Sequence, residues 1–337
     1  MFDKIIHLKL IIIMNFLKNI ILFFFIILFN SCSVEDGKTK ATFWVVSGGN
    51  TISYKDDYRE WEDVTITSDA ILIRDIESNN SQGLIAVGKD GNIWQSSDKG
   101  LSWDNRTSGN RTSGNGSNSR LWEVIYNSGK YVAVGNSGII ITSDDGITWD
   151  NRTSGVTKVL RGIAYGNSKY VTVGFDGTVL TSSDSITWTQ QSSPTTEDFF
   201  GLEYVNNKFI GVGDNGLIIT SSDGTTWDNK TSGTSEKIKG ITYGNGIYVT
   251  IATNGIIHTS TDTDTWTSRV SGTANDLWAV EFGNGEFLAG GSNIVIKSND
   301  GITWTQILSG TVQGIAYQEF DVQKWKYSPT PQFADLR

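Results

Sequence analysis

One cysteine, three prolines and two histidines are all that 337 residues contain of those types, and each shortage excludes something. A lone thiol cannot close an intrachain disulfide or build a cysteine-based zinc site. With 27 Lys and Arg against 36 Asp and Glu, a formal net charge of −9, the chain lacks the basic excess that nucleic acid demands. Charged residues make up only 19% and apolar ones 38%, enough to build a core and too apolar for a disordered chain. What is plentiful is glycine, at 37, and tryptophan, at 12. Together with the scarcity of proline, they predict short strands joined by tight turns.

Residues 1–32 differ from the rest. Lys18 precedes an apolar run from Ile20 to Phe29, followed by Asn30, Ser31 and Cys32. A basic segment, about ten apolar residues and a small residue before the cut describe an export signal, and the run is shorter than the roughly 20 residues of a membrane span. Met14 offers an alternative start that leaves a signal of ordinary length. The cysteine at the end of Leu28–Cys32 resembles the lipid-modified residue of bacterial lipoprotein signals. That resemblance implies a mature chain tethered through Cys32 to a membrane of the cell envelope, as a monomer. The mature part would carry net charge −11, so anionic headgroups would repel it and acyl chains alone would hold it. Residues 33–41 read as a linker.

The body repeats itself. LRGIAYGNSKYVTVG from Leu160 matches IKGITYGNGIYVTI from Ile238, and GIIITSDDGITWDNRTSG from Gly138 matches GLIITSSDGTTWDNKTSG from Gly216. A tryptophan closes each unit: Trp61, Trp103, Trp149, Trp188, Trp227, Trp266 and Trp304, spaced 42, 46, 39, 39, 39 and 38 residues apart. Lys99 is a one-residue insertion, and NRTSG is duplicated at 105–109 and 110–114 in a loop expected to be mobile. The apolar period inside a unit is two, so the elements are strands. Four per repeat are predicted, at 160–165 (a), 170–174 (b), 178–182 (c) and 187–191 (d). Repeats of about 40 residues with four strands predict an all-β propeller of four-stranded antiparallel blades.

The two ends suggest the blade count. Phe43–Val46 matches strand b and opens a partial blade that runs to Trp61, while QGIAY at Gln313–Tyr317 matches strand a. Pairing them predicts a seven-bladed ring over 42–317 with no open sheet edge, followed by a tail at 318–337.

Between strands c and d lies a turn of the form Ser-x-Asp-Gly-x-Thr-Trp: SSDKGLSW from Ser96, SDDGITW from Ser143, SSDGTTW from Ser221 and SNDGITW from Ser298. SSDSITW from Ser182 and STDTDTW from Ser260 lack the glycine. The turn resembles the Asp-box, or BNR repeat, of sialidases, sortilin-type receptors and many bacterial propellers, among them the photosystem II assembly and stability factor. Asp98, Asp145, Asp184, Asp223, Asp262 and Asp300 are expected to accept hydrogen bonds from turn amides, with each Trp covering the outer edge of its blade. Six copies argue for a structural role, since one catalytic site does not need six.

Little else suggests chemistry. His258, the only histidine after residue 7, takes a strand-c position filled by Ile141, Leu180 and Ile219 in sister repeats. With no second histidine, neither a Ser-His-Asp triad nor a histidine metal site has its parts; no cofactor or metal is expected. The enzymatic alternative is a sialidase-like glycoside hydrolase. That resemblance would require three arginines for the substrate carboxylate, a Tyr/Glu pair and an acid, and only Arg74 and Arg161 fall at inner-strand positions. The proline-bearing Arg-Ile-Pro signature is missing too, because the only prolines are Pro194, Pro329 and Pro331.

Binding fits better. The second position of strand a varies while its neighbours stay apolar: Arg74, Trp122, Arg161, Phe200, Lys239, Trp278 and Gln313. Strand order puts this column at the mouth of the central channel, opposite the Ser-x-Asp turns. Cations beside aromatics suit an acidic protein segment or a glycan through ion pairing, stacking and cation–π contact. The expectation is therefore a non-catalytic binding or assembly scaffold.

Overall fold

Strands of period-two apolar residues form wherever the repeat places them, and each repeat folds in the same order. In this computed structural model the described residues are 40–48, 51–56, 62–65, 73–79, 83–98, 100–106 and 119–321. The export signal, Cys32, the duplicated NRTSG and the tail beyond Asp321 lie outside them. Residues 41–320 form one compact unit.

The third blade shows the pattern. Strand a is Leu160–Gly166, b is Lys169–Gly174, c is Val179–Ser182 and d is Thr189–Gln191, paired a-b-c-d in antiparallel order. Strand d starts two residues later than the periodicity predicts because Thr187 and Trp188 belong to the turn. The Thr187 amide donates to Asp184 and the Trp188 indole to the Ser185 carbonyl. The only helices among the described residues are 3-10 turns of three residues, such as Phe175–Gly177 between b and c.

The blade count differs from the expectation of seven. Six blades, each made of four consecutive strands, occupy 73–105, 121–152, 160–191, 199–231, 238–269 and 277–308. The remaining strands, Lys40–Gly48, Thr51–Asp56, Glu62–Thr65 and Gly314–Asp321, form a composite sheet. In it the last strand of the chain lies beside the first. The expected seven-bladed ring is thus corrected to six repeated blades, with one further four-stranded sheet drawn from both ends of the described residues. The physical reason is local: KDDYRE, before Trp61, has neither the serine nor the glycine that the Ser-x-Asp turn needs, and residues 57–61 lie outside the described ones.

No blade has a core of its own. Val132, Val134 and Ile140 of the second blade pack with Leu160, Ile163 and Tyr170 of the third. The opposite face of the third blade, through Val171, Val173 and Val179, packs with Phe199, Leu202 and Phe209 of the fourth. Strand b is buried on both faces, as its unbroken apolar run requires. Apolar contact continues from Leu288 and Val295 of the sixth blade to Val312 and Ile315 at the composite sheet.

The tryptophans are not where the sequence put them. Trp149, Trp188, Trp227 and Trp304 are buried, each within the core shared with the preceding blade rather than on an outer edge. Each indole N–H donates to the carbonyl at the glycine position of its own turn, Trp227 excepted. That bond tips the ring inward, so polar and apolar ends are both satisfied.

The turn itself is built by the aspartate. Asp145 accepts from the amides of Ile147 and Thr148 at 2.7 Å and from the Ser143 hydroxyl at 3.0 Å. Asp184, Asp223, Asp262 and Asp300 repeat this arrangement. The next residue has positive φ: Gly146 at 73° and Gly224 at 73°, but also Ser185 at 62° and Thr263 at 71°. Left-handed backbone at β-branched Thr263 is strained, and its buried hydroxyl has no partner.

Two outcomes follow for stability in urea unfolding. Trp149→Ala is expected to cost about 3–5 kcal/mol, whereas Ile147→Ser, on the exposed tip of the same turn, stays within about 0.5 kcal/mol. Thr263→Gly is expected to stabilise the fold by about 1 kcal/mol, by relieving the left-handed strain; a loss of stability would refute that account.

Candidate functional site

A single irregularity in strand a creates the site. In each of the six blades the a–b register slips at the second residue of strand a, as between Leu121 and Glu123 or Leu160 and Gly162. The residue left over in this bulge has no partner opposite, and bulges re-aim side chains in this way. The bulge residues are Arg74, Trp122, Arg161, Phe200, Lys239 and Trp278. They are the variable column, and with Gln313 they line one cavity of about 490 Å³. All seven residues predicted from the sequence are therefore brought together.

The cations gather around two rings. The Trp122 indole donates to the Asn136 side chain at 2.7 Å, which fixes the plane of the ring. The Arg161 guanidinium lies 3.6 Å from its centroid, Arg120 at 4.7 Å and Arg74 at 5.0 Å. The Lys239 ammonium sits 3.5 Å from the Phe200 centroid, with Arg161 at 5.3 Å and Lys237 at 5.7 Å. Arg74 also donates to the Gln313 side chain. Among the described residues, none of Arg74, Arg120, Arg161 and Lys239 belongs to an ion pair, whereas Lys237 pairs with Asp214 at 2.8 Å. Burial and the neighbouring Arg74 pull the Arg161 pKa down to about 10. Burial and Arg161 pull Lys239 down to about 8. Like charges are held together without a carboxylate in ion-pair contact among the described residues, and Glu123 and Asp198 offset only part of the burden on Arg161.

Beneath the mouth the sign reverses. Asp75, Glu123, Glu203 and Glu281 line the same cavity, one or three residues further along strand a than the bulge. The inner strand exposes an unpaired backbone edge, and some of these acids satisfy it. Asp75 accepts the Val124 amide of the next blade at 2.9 Å, Glu123 the Ile163 amide at 2.8 Å, and nearby Glu77 the Tyr126 amide at 2.9 Å. Glu203 and Glu281 instead interact with Tyr204 and Phe282 amides of their own strands. Protein crowds these half-buried groups while the lumen keeps them in touch with solvent. Burial pushes Asp75 and Glu203 up to about 7 and Glu77 up to about 8. Glu123 and Glu281 are pushed well above the usual range, by burial and then by neighbouring carboxylates.

This acidic interior, together with Arg120 and Lys237, is what the sequence argument missed. Its signal was present: Asp75 and Glu123 replace the Gly162, Gly201, Gly240 and Ala279 of sister repeats, and Glu77, Glu203 and Glu281 replace Ala164 and Thr242. His258 belongs elsewhere. It is almost wholly buried, its Nδ1 has no partner, and burial lowers its pKa. The Ser-x-Asp aspartates do not line the cavity, and among the described residues no group of three metal-ligating side chains is assembled.

No family model matches the sequence, and no curated protein does either. Solved structures match well. YCF48 bound to a D1 peptide aligns with TM-score 0.60 and 20% identity, over 74% of this chain and 84% of its own. YCF48 from Cyanidioschyzon merolae gives 0.58 and 18%, over 75% and 90%. The WD40 propeller domain of Doa1 gives 0.57 and 14%, over 72% and 84%. The chain is a β-propeller similar in fold to YCF48. At these identities the likeness is one of fold.

The opposing shifts set the pH dependence of stability. Carboxylates raised in the fold contribute most below about pH 4, and that contribution is lost as pH climbs through 7 to 8. The Ser-x-Asp aspartates behave oppositely. The Thr187 and Ile186 amides hold Asp184 down to about 2, so its contribution is present above about pH 4 and lost on acidification. Thermal unfolding followed from pH 5 to pH 8.5 should show a falling Tm, and Glu203→Gln with Glu281→Gln should flatten the fall. An equally steep fall in the double variant would refute this assignment.

Proposed function

We propose that the protein is a non-catalytic binding or assembly scaffold whose cation–aromatic mouth captures an acidic segment of a partner protein. The observation that carries this reading is the set of Arg74, Arg120 and Arg161, gathered around the Trp122 ring with no carboxylate in ion-pair contact with any of them among the described residues. An arriving carboxylate would gain charge-assisted hydrogen bonds and relieve their mutual repulsion. The bulge holds Arg74 and Arg161 on strands rather than on loops, so little ordering is left to offset on binding. That a propeller of similar fold has been solved with a peptide bound supports a protein ligand. We further place the protein in the cell envelope, exported and lipid-anchored through Cys32, on the signal read from residues 1–32.

One observation favours a second reading. Three arginines do converge, since Arg120 from the link before strand a joins Arg74 and Arg161. A sialidase-like site would use such a trio for the substrate carboxylate. Against it, among the described residues no tyrosine lines the cavity to supply the Tyr/Glu pair. The trio would then serve to hold an acidic glycan.

Arg161→Glu is expected to weaken binding of a fluorescein-labelled glutamate-rich peptide by about tenfold or more, with an unchanged circular dichroism spectrum. Undiminished affinity would refute the site. Turnover of a fluorogenic sialoside by the unaltered protein would instead establish the enzymatic reading.

A further inference from the structure

Resting on the acidic-segment reading above, we propose that the interior of the cavity receives a primary ammonium group of the same ligand, so that the captured segment carries an amine beside its acidic residues.

The argument starts from what the carboxylates are for. Asp75, Glu77 and Glu123 each accept an amide of the neighbouring blade, which accounts for them as caps on an exposed strand edge. Glu203 and Glu281 occupy the same strand position as Glu77, yet no neighbouring-blade amide donates to either among the described hydrogen bonds. Sister repeats put Ala164 and Thr242 there, so the fold does not need an acid at that position. Both line the cavity, and Glu203 disfavours ionisation of Glu77, Glu123 and Glu281.

No cation of the protein is paired with Glu203 or Glu281 among the described residues. The mouth with its cations lies three strand positions away, roughly 10 Å along the strand. The missing positive charge therefore has to be a proton or part of a ligand. The acids are not grouped as a metal-chelating set among the described residues. An ammonium, a compact charge with three rotatable donors, suits separated carboxylates better. A segment lying at the mouth, with its acids on Arg74, Arg120 and Arg161, can extend one amine downward between Glu203 and Glu281. The reversal of sign along the cavity then reads as selectivity: a purely acidic segment is repelled by the interior, and a purely basic one by the mouth.

Three peptides with a C-terminal fluorophore test this by anisotropy with the full chain at pH 7.5. They are acetyl-Glu-Glu-Ala-Lys-Ala-Glu-Glu, the same peptide with norleucine for lysine, and that norleucine peptide with a free amino terminus. At least one amine-bearing peptide is expected to bind about tenfold tighter than the acetylated norleucine peptide. Whether it is the lysine or the free terminus distinguishes the source of the ammonium. Glu203→Gln with Glu281→Gln should shrink the preference to about twofold or less. Equal binding of all three peptides, or a preference that survives in the double variant, would overturn the proposal and leave the acidic-segment reading standing. Failure of all three to bind would overturn both.

Discussion

Apolar burial between neighbouring blades is the constraint on which everything else in this molecule depends. A four-stranded sheet with two apolar faces cannot hide either of them alone. The chain solves this by setting repeats side by side, so that Val132 and Val134 meet Leu160, and Val171 and Val173 meet Phe199. Strand b, buried on both faces, becomes the middle of the structure, and strand a is pushed to the inner edge. The tryptophans of the Ser-x-Asp turns at 149, 188, 227 and 304 serve the same interface, packing against the previous blade, and all of these but Trp227 donate the indole N–H to a carbonyl of their own turn.

Placing strand a at the inner edge has two consequences, which together make the cavity. Its edge lacks a strand partner, so acids such as Asp75 and Glu123 are recruited from one blade to satisfy amides of the next. Its second residue is squeezed out by a bulge, so that residue is relieved of packing duty and is free to vary. A cationic mouth above an acidic interior is what results when the repeats are diversified at those two depths. Both layers are electrostatically costly: arginines crowd one tryptophan, and burial disfavours the ionised form of the carboxylates. Groups perturbed in this way are what make the cavity a candidate site.

Much of this was legible in the residues. The Trp149–Trp188–Trp227–Trp266 spacing revealed the repeat, the period of two revealed strands, and the variation at Arg74, Trp122, Arg161, Phe200, Lys239 and Trp278 marked the mouth. Other features were harder to see. The blade count was misjudged because Lys40–Gly48 and Gly314–Asp321 resemble their repeat strands in sequence while the turn before Trp61 does not. The inward tilt of the tryptophans depends on an indole-to-carbonyl bond that no spacing encodes. Arg120 went unnoticed because it lies in a link, outside any aligned strand.

The sequence by itself determined the secondary structure, the order of strands and the set of positions free to vary, because these follow from periodicity and turn chemistry within single repeats. Only the tertiary structure decided what those positions face. The approach of Arg74 and Arg161 to the Trp122 ring and the gathering of carboxylates beneath them join residues from different blades, about forty residues or more apart in the chain. Such contacts exist only once adjacent sheets have buried their apolar faces against each other, and no single repeat contains the information that specifies them.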